Sequence, residues 1–297
     1  MRQILITGGS GLVGKRITEL LEKKGYEVAW LSRSPQTQKT FLWEVEQGKI
    51  DPEAIEWADA IIHLAGAGVA EKRWTFERKK LILESRTKST ELLFKAIQGA
   101  VHKPNAFISA SAVGYYGFNT GPILVEETTS PGDDFLAQVV IAWENEVKKI
   151  ESLSIRTVML RIGIVLDADG GALGEMLKPP VAAPLGSGDQ WMSWIHLEDL
   201  ARMFVFALEK TTLQGIYNAV APNPATNQQL TKEAASAKGK PYVGIGVPGF
   251  ALKLVLGEMA AMVLGGNRVS SQKIQKTGFE FEFSELKPAL KDIFSTR

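Results

Sequence analysis

The sequence predicts a doubly wound α/β fold, a parallel sheet covered by helices on both faces, with a smaller mixed α/β lobe toward the C-terminus. Three observations carry this. Short apolar runs recur through the first two-thirds of the chain, stretches of helical pattern separate them, and the first run ends directly in a glycine-rich turn. Continuous apolar strands mark a sheet buried on both faces, and the helices between them are the crossovers that parallel strands require.

In chain order, the expected strands are QILIT (3–7), EVAWLS (27–32), DAIIHLA (59–65), NAFISA (105–110) and IRTVMLRI (155–162). Helical patterns fall at 12–24, 76–99 and 134–152. From Leu166 the texture changes: 167–190 is rich in Gly and Pro and reads as loops around one short helix. A helix at 196–210 and a strand at 215–220 resume the sheet. The expected division is therefore a dinucleotide-binding domain of 1–166 plus 196–221, and a substrate-side lobe of 167–195 plus 222–297. With no linker-like stretch between them, the two share one body. The apolar segment 247–264 carries Lys253 and Glu258 near its centre, where charge is costly in lipid, so it is expected as a buried or interfacial helix.

Bulk composition narrows the function. The 297 residues carry 34 Lys and Arg against 33 Asp and Glu, a net charge of +1, so no global field recruits nucleic acid or an anionic membrane. There is no cysteine, which excludes disulfides, thiolate metal sites and a cysteine nucleophile. A reducing cytoplasm fits that usage. The N-terminal apolar run is too short for a signal peptide, and the chain is expected to begin where the fold does. His63, His102 and His196 are scattered without metal-ligand spacing, and no metal is expected. The expected partner is a small molecule, and the protein is expected as a monomer or a homodimer.

The strongest local signal is ITGGSGLVGKRITELLEKKG (6–25). Gly8, Gly11 and Gly14 follow a strand and open a helix, the context in which such spacing lets backbone approach a pyrophosphate at a helix N-terminus. Thr7 and Ser10 can add hydroxyl donors. A nucleotide-triphosphatase loop is the rival, since Gly9, Gly14 and Lys15 match its first positions, but Arg16 stands where that loop needs Ser or Thr for Mg²⁺. The second strand ends in Ser32-Arg33-Ser34. A carboxylate there would select NAD(H) through the ribose 2′-hydroxyl, whereas Arg33 can grip a 2′-phosphate, and this favours NADP(H).

In order along the chain, TGGSGLVG, DAIIHLAG, SASAVGYYG, LRIGIVL, WIHLEDLA and GIYNAV resemble the extended short-chain dehydrogenase/reductase superfamily, that of the nucleotide-sugar epimerases and dehydratases. HLAGAGVAEKRWTFERKKLILESRTKSTELL (63–93) and PGFALKLVLGEMAAMVLGGNRVSSQKI (248–274) are similar to its atypical sugar-nucleotide epimerase-like branch and that branch's C-terminal extension. The resemblance implies a Rossmann-type domain holding NADP(H), with the second lobe closing over the substrate. It adds Leu12, Leu64, Ala65, Gly66, Ser109 and Arg161 to the cofactor set. Arg86, standing where relatives carry an Asn facing the cofactor, either contacts NADP phosphates or pairs with Glu84 or Glu91.

One part of the pattern is missing. The superfamily exchanges a proton through a Tyr with a Lys four residues on, the cation favouring phenolate. None of the five tyrosines (26, 115, 116, 217 and 242) has that Lys. Ser111 matches the substrate-orienting Ser, and Tyr116, before Gly117, matches a Tyr-Gly that follows it; Tyr115 is peculiar to the branch. Either one tyrosine gives a hydrogen bond or proton to a substrate oxygen, or the pair packs against the second lobe. Trp74 and Arg78 are candidates for the substrate cleft or an anionic group, against a solvated helix face. Gln190, Trp191 and Trp194 form either a cleft wall or a lobe–lobe core. The expected function is an NADP(H)-dependent oxidoreductase or epimerase-like enzyme acting on a small polar substrate. The alternative is a non-catalytic NADP(H) or metabolite sensor.

Overall fold

The computed structural model describes residues 2–168 and 170–295. Met1, Asp169 and residues 296–297 lie outside these, so the expected 167–190 loop and the chain ends are described without them. Strand β1 (Gln3–Thr7) leads through helix α1 (Leu12–Lys23) to β2 (Glu27–Ser32), β3 (Thr40–Glu44) and β4 (Lys49–Ile50). The short α2 (Glu53–Trp57) returns to β5 (Ala60–His63), and α3 (Phe76–Gly99) crosses to β6 (Ala106–Ala112). Then come β7 (Asn119–Val125), α4 (Phe135–Glu151), β8 (Arg156–Ile162), β9 (Ile164–Leu166) and α5 (Gly171–Met176). The chain continues through β10 (Trp191–Met192), β11 (Trp194–His196), α6 (Leu197–Glu209), β12 (Gly215–Ala219), β13 (Ala225–Thr226) and α7 (Asn227–Lys238). It ends with α8 (Gly249–Leu256), α9 (Ala260–Leu264), β14 (Gly266–Val269), α10 (Gln272–Gln275) and α11 (Leu286–Ser295).

The main sheet has eight strands in the order β12-β8-β6-β5-β1-β2-β3-β4. Its pairings are parallel except β3 with β4. The chain runs outward from β1 to one edge and then returns to β5 beside β1, so strand order reverses between those two. Ligands of open α/β sheets bind in the crevice at that reversal, outside the strands' carboxyl ends. Helix starts are fixed by side chains: Thr75 caps α3 by accepting from the Arg78 amide, and Asp134 caps α4 through the Ala137 amide. Ile4, Leu5, Ile6, Ile61, Ile62, Phe107 and Ile108 are fully buried in the sheet's core. At ~1.5–3 kcal/mol for each large apolar side chain buried, such residues dominate the stability.

A second cluster joins Leu166, Leu173 and Trp194 to Leu230 of α7 and Leu290 of α11. Ile274 and Phe279 from the C-terminal segment are buried in the first core instead, Phe279 packing edge-on to Phe206 of α6. Segments 1–166 and 222–297 thus contribute to both clusters. A strand pair between them, β7 with β14, was not legible in the sequence. Nor was β3, whose alternation buries Phe41 and Trp43 and exposes Leu42. The segment expected as one buried or interfacial helix is broken at Gly257, where φ is +62°. Its first half, α8, buries none of its residues, and Phe250, Leu254 and Val255 are exposed. No helix among the described residues is long and apolar enough to cross a membrane.

Candidate functional site

The glycine turn is built by steric necessity. Gly8 has a φ of +70°, and a Cβ there would lie 3.1 Å from the Leu64 carbonyl carbon. A Cβ on Gly14 would meet the Gly8 carbonyl oxygen at 2.5 Å, and one on Gly9 would enter the Trp30 indole. The Gly11 amide closes the turn on the Gly8 carbonyl at 3.1 Å. No side chain caps α1 at Gly11, and no acid lies in its first turn. The helix's leading amides therefore remain for an anionic ligand. Ser10, Gly11 and Leu12 are exposed at this edge.

Thr7 serves the turn from beneath. Its Oγ1 accepts the amides of Leu64 and Ala65, both at 3.1 Å, and gives its one hydrogen to Nδ1 of His63 at 2.7 Å. His63 Nε2 then donates to Thr90 Oγ1 at 3.1 Å, since that hydroxyl's own hydrogen goes to the Arg86 carbonyl. This relay fixes the neutral Nε2–H tautomer. Burial first, and then the charge of Arg86, pulls the His63 pKa down to about 3. Thr7, expected as a cofactor hydroxyl, is fully buried with its hydroxyl committed, so it shapes the site rather than facing it.

A cleft of about 780 Å³ opens over this turn, lined by Gly8, Ser10, Ser32 and Arg33, by Ala65–Gly68, and by Arg78. Arg33 is exposed and enters no ion pair or hydrogen bond among the described residues. The end of β3 adds Glu44–Gln47 to the wall, a contribution the sequence reading missed along with the strand. Arg86 lies under the 65–68 loop: its Nη1 donates to the carbonyls of Ala67 (3.0 Å) and Ile82 (2.9 Å), and its guanidinium sits 5.3 Å from the Trp143 ring. Local pairing with Glu84 or Glu91 is not what it does, because those acids engage Lys88 and Lys95. Burial, and then Arg78, lowers the Arg86 pKa to about 10. Glycine cradle, uncapped helix and unpaired cations together fit a dinucleotide whose phosphates need all three.

Of the two expectations for the Ser111–Tyr116 stretch, Tyr116 follows the second, clustering with Val269 of the C-terminal segment while its hydroxyl finds a protein partner. Ser111 Oγ donates to Glu144 Oε1 at 2.6 Å, and Arg161 grips the same carboxylate with Nε (2.8 Å) and Nη2 (2.9 Å). Arg161 Nη1 reaches the Tyr116 hydroxyl at 3.1 Å, and that hydroxyl donates to Asn218 Oδ1 at 2.7 Å. All five side chains are buried, Arg161 to 1% exposure. Burial opposes the Arg161 charge, yet the Glu144 hydrogen bonds and charge hold it above its ordinary range. Burial pushes the Tyr116 pKa up to about 12, with Arg161 opposing. Tyr116 is therefore a poor base, and Arg161 is buried with its guanidinium engaged by Glu144 and Tyr116. Ser109, fully buried on β6, donates to the Ala110 carbonyl and likewise faces away. Tyr115 is half-buried, with its ring 3.4 Å from the Arg161 guanidinium. A cation from the neighbouring strand, Arg161, does lie beside Tyr116, but it does not bring the phenol into the range of a base.

The expected substrate residues are dispersed. Trp74 donates to the Val69 carbonyl at 2.9 Å and packs edge-on to Phe135. Gln190 spends its amide on the carbonyls of Leu185 and Val263, tying the loop before β10 to α9. Trp191 is half-buried beneath the Arg268 guanidinium. Trp194 is fully buried in the second core, its Nε1 bonded to the Asn223 carbonyl, so of the two places expected for it the core is the one it takes. Among the described residues no group of three or more His, Asp or Glu is arranged to hold a metal.

Comparison with known proteins agrees with this geometry. The profile of the NAD dependent epimerase/dehydratase family matches residues 4–147 and 172–219, and a domain of unknown function, DUF1731, matches 247–293. The epimerase family protein YfhF of Bacillus subtilis is 36% identical over 99% of this chain and 98% of its own. The crystal structure of human epimerase family protein SDR39U1 with NADPH superposes with a TM-score of 0.88 at 33% identity, covering 99% of this chain and all of that one. A nucleoside-diphosphate sugar epimerase from Corynebacterium glutamicum gives 0.80 at 28% identity, over 99% of this chain and 58% of its own.

Proposed function

Because the chain belongs to the NAD dependent epimerase/dehydratase family, we propose that its cleft takes NADP(H) and that it is an oxidoreductase or epimerase-like enzyme acting on a small polar substrate. The observation that carries this reading is Arg33: a free guanidinium at the end of β2, in the same cleft as an uncapped glycine turn. A carboxylate there would repel a 2′-phosphate, whereas the arginine fork matches it. The NADPH-bound human relative supports the choice. Gly8, Gly11 and Gly14, with the first amides of α1, would hold the pyrophosphate, Ala65 and Gly66 would wall it, and Arg86 would add charge from below. When bound, the cofactor supplies hydride transfer.

For the substrate, the chain offers Tyr115 before Tyr116. The Tyr116 hydroxyl already donates to Asn218, while that of Tyr115 makes no hydrogen bond among the described residues. Ser111, with its proton given to Glu144, orients the Arg161–Glu144 pair under that tyrosine. A second reading, a non-catalytic NADP(H) sensor, is favoured by the same burial of Ser111 and Tyr116.

Fluorescence titration with NADPH and NADH tests the shared part. NADPH should bind more tightly, and Arg33→Ala should erase at least about tenfold of that preference, since charge-assisted hydrogen bonds contribute ~1.5–3 kcal/mol each. A preference for NADH would sink the Arg33 assignment. NADPH oxidation over a panel of carbonyls and nucleotide sugars then separates the readings. Turnover lost in Tyr115→Phe supports the enzyme, and absence of turnover across the panel supports the sensor.

A further inference from the structure

Arg78 lines the same cleft as Arg33 but meets different surroundings. Its side chain is only 10% exposed, and its Nη2 donates to the Gly68 carbonyl and, at 2.8 Å, to Oε2 of Glu71. Its Nε is buried and has no hydrogen-bond partner. A planar guanidinium binds a carboxylate or phosphate best along one edge, through Nε and Nη2 together, as Arg161 binds Glu144. Glu71 takes only half of that edge. It is itself 65% exposed, and so exposed a pair is worth little. Gly68 makes room for it, since a Cβ there would strike the Glu71 carboxylate.

Glu44, Glu46 and Glu71 also line this cleft, but of these only Glu71 bonds Arg78. Arg86, beneath the same loop and near enough to feel the charge of Arg78, has no carboxylate partner among the described residues. Among the described residues Glu71 is the one acid bonded to either guanidinium. A buried donor left without a partner beside unneutralised cations is costly unless an anion arrives.

We propose that this part of the cleft is a subsite for an anionic group of the substrate, a carboxylate or phosphate held side-on by Nε and Nη2 of Arg78, with Glu71 as the internal carboxylate it displaces. The substrate class is thereby an anionic carbonyl compound. This deepens the reading of the cleft as a dinucleotide-dependent active site and rests on it. The phosphates of the cofactor are the competing source of the same chemistry, so the test begins with that source satisfied.

Protein saturated with NADPH is titrated with inorganic phosphate and, separately, with pyruvate, at constant ionic strength held by chloride. The fluorescence of bound NADPH and the thermal midpoint are both read. Saturable binding is expected, weakened about tenfold or more in Arg78→Met and tightened about threefold in Glu71→Gln, because removing a competing carboxylate frees the fork. A merely structural Arg78 would not produce that tightening, and the exposed Glu71 substitution still reports if Arg78→Met fails to fold. No saturable binding, or binding indifferent to both substitutions, overturns the proposal. So does an Arg78→Met variant that loses NADPH affinity while keeping its anion affinity. Failure of NADPH itself to bind counts against the cofactor reading alone, and the anion titration of the free protein then decides the role of Arg78.

Discussion

His63 shows how a single residue is governed by what encloses it. The imidazole is fully buried, both its nitrogens are engaged, and Arg86 adds a repelling charge, so the folded protein holds it neutral far below its ordinary pKa of 6.5. The unfolded chain binds the proton that the folded one refuses. Stability should therefore fall as pH drops from about 6.5 toward about 3, and be fully present above that window. Imidazole nitrogen chemical shifts read this directly: at pH 5 the His63 ring should still show the neutral Nε2–H form, and a protonated ring would refute the relay. Tyr116 is a parallel case. Its place after Ser111 was readable from the sequence, but its usefulness was not, because Asn218 and Arg161 reach it from 102 and 45 residues away.

At the scale of the element, the glycine turn and α1 form one device. Gly14 lies in the helix, yet its α-carbon faces the Gly8 carbonyl so closely that no side chain fits, and the obstacle is backbone. Gly14→Ala should cost on the order of 2–3 kcal/mol in denaturant unfolding and weaken NADPH binding more than tenfold, because the helix must lift off the turn. An alanine variant that binds normally would mean the helix start does not hold the ligand. The elements with continuous apolar runs or long helical periodicity fell where the sequence put them, as β1, β2 and α3 did. Shorter or alternating elements did not: β3 hides in a run that exposes every second residue, and β7 becomes a strand only because β14 lies beside it.

At the scale of the whole molecule, the second lobe is joined to the Ser111–Tyr116 stretch through Asn267. Its amide donates to the carbonyls of Val113 (3.2 Å) and Gly117 (2.6 Å), while Ser193 bonds its carbonyl. Asn267→Ala removes one buried donor group and orphans two carbonyls. It should cost ~1–3 kcal/mol by calorimetry and loosen Tyr115 before the cofactor cleft, so NADPH affinity should change less than stability. An equal loss of both would show that lobe and cleft are one cooperative unit.

Sequence alone determined the central strands of the sheet, the glycine cradle, the arginine in place of a carboxylate after β2 and the absence of the Tyr–Lys pair. Each is written in adjacent residues, through a period, a steric requirement or a spacing. Tertiary structure alone decided that Thr7, Ser109 and Trp194 are interior, that Arg86 bonds no acid among the described residues, that Arg161 pairs with Glu144 beside Tyr116, and that Arg78 keeps an unbonded Nε. Those are matters of what surrounds a side chain, and burial and partnership are set by contacts between strands and helices that no local pattern encodes.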